Sequence, residues 1–200
     1  MLYNRNVRLH CEHDVFFAYD ESMVQEIEKL RISLSRRMSK EAILAFAETV
    51  NGCDCDKILP LIAEDDKELS GNAAYVLLCA QKSLQNCLSG HTGFIMDVVQ
   101  STPFEKSRRL LLSLLEKLPS DTTNINVKFL DYCIDGILSA KTPSAIKVSC
   151  IKLAFRQCVA YKELLAELKM VLDTMDVSLL APSVVCVRRN IMKKLLATQQ

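Results

Sequence analysis

Tryptophan is missing from this chain of 200 residues, and glycine and proline number only 5 each. So little turn chemistry excludes an all-β fold, whose many short strands need Gly and Pro at their reversals. Long apolar runs are missing as well: a stretch such as "AAYVLLCA" falls far short of the roughly 20 residues that cross a bilayer. No membrane association is therefore expected. The opening "MLYNRNVRLH" has no apolar run of the kind that marks export. Histidine is limited to 3 residues, and neither G-x-x-x-x-G-K-[ST] nor G-x-G-x-x-G occurs to cradle a phosphate.

What is present points to a folded helical protein. Half of the chain is hydrophobic and 24% is charged, a balance typical of globular domains rather than disordered ones. The 9 cysteines are odd in number and irregularly spaced. Cys79, Cys133, Cys150, Cys158 and Cys186 lie in apolar helical patterns, where a free thiol acts as a small hydrophobe. Without an export signal they read as reduced thiols of a cytoplasmic protein. The net charge of +1 hides an asymmetry. Residues 1–102 carry 10 Lys and Arg against 15 Asp and Glu, a balance of −5, whereas residues 103–200 carry 15 against 9, a balance of +6.

Residues 1–19 have no clean period. From "DESMVQEIEKLRISLS" onward, Met23, Val24, Ile27, Leu30, Ile32 and Leu34 follow helical spacing, with Asp20 as a cap. Ser39 is placed to cap "KEAILAFAETV", and Gly52 to end it. Pro103, Pro143 and Pro182 each open a helix, and Pro119 closes one. Nine or ten helices and no strand are expected. First helices near Ser39, Glu68, Pro103 and Pro143 lie 29, 35 and 40 residues apart, and two-helix units at such steps mark stacked helical repeats. The alternative, an irregular helical bundle, needs no repeat at all.

"LPLIAEDDKELSGNAAYVLLCA" resembles the junction of two HEAT repeats: an apolar helix, an acidic turn at Asp65-Asp66, then a small-residue helix through Ala73 and Ala74. "TPSAIKVSCIKLAFRQCVAYKELLAELKMVLD" resembles one whole unit, with Ala145, Val148, Ile151, Ala154 and Phe155 on the inner face of its first helix. The resemblance covers about residues 39–175. The Asp and Arg that often ladder between HEAT units do not recur at fixed places. It implies an all-α, armadillo-type superhelix: a lead-in and first helix (1–38), about four HEAT-like hairpins (39–181) and a C-terminal capping helix (182–200), forming one continuous domain.

Catalytic chemistry finds little support. His10, Cys11 and His13 with Cys53 and Cys55 are the residues to weigh for zinc, which takes four Cys or His as two close pairs. The C-x-C spacing is tight, and the 39 residues between His13 and Cys53 include a helix. No metal and no cofactor are expected. His91, after Gly90 at a helix start, reads as a surface or capping residue. The chain lacks the S-S-x-M-P-x-K loop of the fumarase/adenylosuccinate lyase superfamily. It also lacks the Trp with which HEAT-like alkylpurine DNA glycosylases hold a damaged base.

The reading is therefore a non-catalytic protein-binding or scaffold module. In the HEAT arrangement second helices line the concave surface, which places Lys128, Asp131, Tyr132, Asp135, Lys162, Glu163 and Glu167 there. Such mixed charge suits another protein or an extended peptide. The alternative is nucleic-acid binding through a basic stripe of Lys147, Lys152, Arg156, Arg188, Arg189, Lys193 and Lys194.

Overall fold

A computed structural model describes residues 21–80, 82–119 and 125–198, and every regular element among them is a helix. The chain divides into two compact units, Met1–Leu114 and Leu115–Gln200. That boundary falls inside a helix.

The first unit contains α1 (Glu21–Leu34), α2 (Lys40–Thr49), the short α3 (Cys55–Ile58), α4 (Lys67–Cys79), α5 (Lys82–Leu88), α6 (Thr92–Ser101) and most of α7 (Glu105–Lys117). Local chemistry explains several boundaries. The Ser39 hydroxyl accepts from the Ala42 amide at 3.2 Å and starts α2. Asp66 does the same for α4, accepting from Leu69 at 2.8 Å. Two expected boundaries move. α2 ends at Thr49 with an extended Val50, and Gly52 instead opens a 3₁₀ turn. Pro103 precedes α7 rather than entering its first turn, because Phe104 accepts the first helical bond, from Arg108. The apolar helix expected at the start of "LPLIAEDDKELSGNAAYVLLCA" is instead a 3₁₀ turn over Leu59–Ala63, which follows the short α3. Pro60, which has no N–H, lies at the start of that turn.

α4 is buried nearly all round, packed against α1, α2 and the Leu59–Ala63 turn. A helix without a solvent face must satisfy its polar side chains internally. The buried Ser70 hydroxyl reaches the Ile62 carbonyl at 2.8 Å and the Ser107 hydroxyl at 3.0 Å. Asn72 reaches the end of α1, with its amide 2.9 Å from both the Leu34 and Arg36 carbonyls.

The second unit contains the end of α7, then α8 (Val127–Leu138), α9 (Ser144–Cys158), α10 (Lys162–Asp173) and α11 (Pro182–Thr198). Pro182 occupies the first position of α11, where its fixed φ suits a helix start. α9 is central: α8, α10 and α11 all pack on it, and α10 also touches α8 and α11. This three-sided packing changes the expected inner face of α9. Ile151 and Ala154 are buried, but Val148 and Phe155 are half-buried and Ala145 is exposed.

Gly136 lets α8 pack tightly against α9. A Cβ there would sit 2.9 Å from Cys150 Sγ, below any normal contact. Gly93 in α6 has open space around the same position. In a helix Ala normally stabilises over Gly by about 0.5–1 kcal/mol. Gly93→Ala should therefore raise the unfolding free energy measured in urea slightly, by roughly 0.5 kcal/mol. Gly136→Ala should lower it by about 1–2 kcal/mol, since overpacking outweighs propensity.

Candidate functional site

The neighbouring faces of α8 and α10 form the candidate site. Asn126 starts α8 by accepting from the Phe129 amide at 3.0 Å, and Gln157 of α9 accepts from the Asn126 amide at 3.1 Å, anchoring that start. Helical spacing then puts Lys128, Asp131 and Asp135 in solvent along α8, while Phe129, Leu130, Cys133 and Ile137 face inward. Tyr132 is half-buried, its ring stacked on Phe129 with centroids 6.0 Å apart. On α10, Lys162, Glu163 and Glu167 are exposed opposite buried Leu165, Leu168 and Leu172.

Between the two helices lies an apolar groove of about 270 Å³. Leu130, Ile134, Leu164 and Val171 form much of its wall, and Asp131 and Glu167 both line it. The structure thus brings two of the expected surface residues together at one cleft. Lys128, Tyr132, Asp135, Lys162 and Glu163 do not line it. Its apolar wall was missed on the sequence, although Ile134 and Leu164, half-buried at the edges of their helices, carry the signal.

The basic residues are placed differently from a stripe. Lys147, expected in that stripe, is buried, and its ammonium donates to the Ile137 and Ser139 carbonyls at 3.0 and 2.8 Å. It neutralises the negative end of α8. Lys152 pairs with Glu116 at 2.7 Å. The Arg156 guanidinium donates to the Leu115, Glu116 and Leu118 carbonyls at the end of α7. Burial pulls that guanidinium below its usual range, and Glu116 partly offsets the pull. Arg188 donates to the Leu172 carbonyl at 2.6 Å and lies 3.6 Å from Asp173, at the end of α10. Arg189, Lys193 and Lys194 are exposed, with the Lys194 ammonium 5.7 Å from the Phe155 ring centroid.

Nucleophilic attack needs a lowered thiol pKa, and Cys55, Cys133 and Cys158 are shifted the other way. A hydrogen bond to Cys150 together with burial holds Cys133 well above the ordinary thiol range. Burial, with Glu167 adding to it, pushes Cys158 up to about 11. Of the residues weighed for zinc, His10, Cys11 and His13 lie outside the described residues. Cys55 is buried between α3 and α5, where it meets Asp56, Cys87 and His91. One donor atom from each of the four lies within 4.8 Å of the others. Burial, then a hydrogen bond to Cys87, raises the Cys55 thiol. His91 Nε2 stands 3.5 Å from Asp56 Oδ1.

Among the described residues, no helix is long and apolar enough to cross a membrane. No curated protein and no solved structure matches the chain. A family model described as HEAT repeat domain does match, over residues 30–195. That span takes in all the described helices but the first turns of α1 and the last of α11. With every regular element among the described residues a helix and this match over most of its length, the chain belongs to the HEAT repeat family.

Proposed function

We propose that this chain is a non-catalytic protein-binding module whose docking face is the α8–α10 groove. HEAT repeats are commonly protein-interaction scaffolds. The observation that carries the reading here is the groove itself: an apolar cleft bordered by the carboxylates of Asp131 and Glu167. Its volume of about 270 Å³ is small for a metabolite or drug-sized ligand, for which pockets run from roughly 300 to 1,000 Å³. It suits one or two apolar side chains of a docked segment. Asp135 and Glu163 add further negative charge on the exposed faces of the same helices, against Lys128 and Lys162. The partner that fits is a peptide segment presenting apolar side chains flanked by Lys or Arg, with Tyr132 and the exposed Val127 widening the contact. Cytoplasmic placement goes with this reading through the reduced thiols.

Polyanion binding is disfavoured by the placement of the basic residues. Lys147, Lys152, Arg156 and Arg188 are engaged with carbonyls or carboxylates of the chain. Arg189, Lys193 and Lys194 remain on the exposed surface of α11. Selection of a displayed peptide library on the full chain should enrich apolar–basic segments. Asp131→Lys with Glu167→Lys should weaken the selected peptides about tenfold or more. Arg189, Lys193 and Lys194 changed together to Gln should leave them bound. Duplex DNA should bind weakly at both low and high salt. Tight DNA binding that falls steeply with salt and disappears in the Gln variant would replace this reading with the nucleic-acid one.

A further inference from the structure

The four side chains that meet between α3 and α5 come from two segments 32 residues apart, Cys55-Asp56 and Cys87…His91. Cys55 and Asp56 are adjacent on the one-turn helix α3. Cys87 lies near the end of α5, and His91 ends the 3₁₀ turn that follows. This is two close ligand pairs, the arrangement that reaches one metal without strain. We propose that Cys55, Asp56, Cys87 and His91 form a zinc site that clamps α3 to the end of α5.

The geometry suits that metal. Bonds of about 2.3 Å to sulfur and 2.0–2.1 Å to nitrogen or oxygen place donors of a tetrahedral zinc roughly 3.3–3.8 Å apart. All four donor atoms here lie within 4.8 Å of one another, and the Asp56–His91 pair stands at 3.5 Å. Closing the remaining gaps takes small side-chain rotations. The donor set is selective: two thiolates and an imidazole suit zinc over magnesium or calcium, which take oxygen ligands. Burial is graded. Cys55 is fully buried at the base of the site, while the His91 and Asp56 side chains are 28% and 52% exposed, which leaves a path for the ion to enter. Four protein ligands leave no open coordination position, so the role is structural and not catalytic.

The region also has a use for such a clamp. α3 has four residues and lies between two 3₁₀ turns, and α5 has seven and runs into another. Short helices contribute little stability of their own. A metal joining residues far apart in sequence supplies cross-linking that the local hydrogen bonds lack.

The test is a titration of the full chain, stripped with chelator under reducing conditions, first with Co²⁺ and then with Zn²⁺ against a chromophoric chelator. One Co²⁺ per chain with a thiolate-to-cobalt charge-transfer band, displaced by Zn²⁺, is expected, together with a higher melting temperature in zinc. Cys87→Ser and His91→Ala, on partly exposed side chains that are safe to fold, should each weaken zinc by about 100-fold or more. Cys186→Ser, at an exposed thiol of α11, should change nothing. Three results would overturn the site: no charge-transfer band, with zinc well below one per chain; binding that survives both variants but is lost when His10, Cys11 and His13 are replaced; or a Cys55–Cys87 disulfide in the chain isolated with thiol alkylation. Folding of each variant is checked by far-UV circular dichroism in the absence of metal.

Discussion

Asn72→Ala should lower the stability of the chain by about 3 kcal/mol, read as a shift of the urea unfolding midpoint. Asn72 is fully buried on α4, and both ends of its side-chain amide are hydrogen-bonded. Its amide protons go to the Leu34 and Arg36 carbonyls, each at 2.9 Å, and its carbonyl accepts from the Lys106 ammonium at 3.2 Å. Leu34 is the last residue of α1, so its carbonyl is one of the four that a helix end cannot satisfy itself. Alanine leaves these acceptors without their donor and opens space in a close-packed interior. A buried polar group left unsatisfied costs about 1–3 kcal/mol, and the lost volume adds to it. Asn72→Asp separates donor chemistry from shape. It keeps the size and the attraction to Lys106 but turns a carboxylate on two carbonyls, and should cost at least as much as Ala. A loss below about 0.5 kcal/mol in both variants would show that these carbonyls find other partners.

Arg156→Ala should cost about 2–3 kcal/mol, and Arg156→Lys should recover less than half of that. The guanidinium spans three carbonyls, with distances of 2.8, 3.0 and 2.7 Å to Leu115, Glu116 and Leu118. It places a positive charge at the negative end of α7, where charge and dipole reinforce one another. Only a planar fork with five donors can reach all three carbonyls at once; a lysine ammonium is a compact point charge. The Glu116 carboxylate meanwhile accepts from Ser149 at 2.5 Å and from Lys152 at 2.7 Å. Glu116→Gln should cost less, roughly 1 kcal/mol, because the Arg156 bonds to backbone survive it. Because the role of Arg156 is internal, Arg156→Ala should change peptide affinity only where the protein has begun to unfold. Monitoring denaturation and binding on one sample distinguishes the two effects. A stable Arg156→Ala protein that loses a ligand would return this residue to the surface.

The helices themselves were legible from the sequence because a helix is closed by local bonds. The absence of alternating strands, the hydroxyl cap at Ser39, the first-turn proline at Pro182 and the small residues of α4 all act within a few positions of where they stand. Even the HEAT resemblance rests on pairs of adjacent helices. Local signals failed by a few residues at Gly52 and Pro103, where a 3₁₀ turn and a non-helical Thr102–Phe104 segment displaced the expected boundaries. What the sequence left open was which way each helix turns about its own axis. A helix with one apolar stripe announces its orientation, but α4 and α9 are covered on several sides, and their polar residues then face partners instead of water. Lys147 and Arg156 look like a solvated basic stripe when read along α9; in the fold they satisfy the ends of α8 and α7. Cys55 reads as one of a C-x-C pair with Cys53, yet it meets Cys87 and His91 from 32 and 36 residues away. The reason is the range of the forces involved. Backbone hydrogen bonds join residues four apart and so follow the local order of side chains, whereas charge, thiol and carbonyl partners are chosen only when packing brings distant segments together.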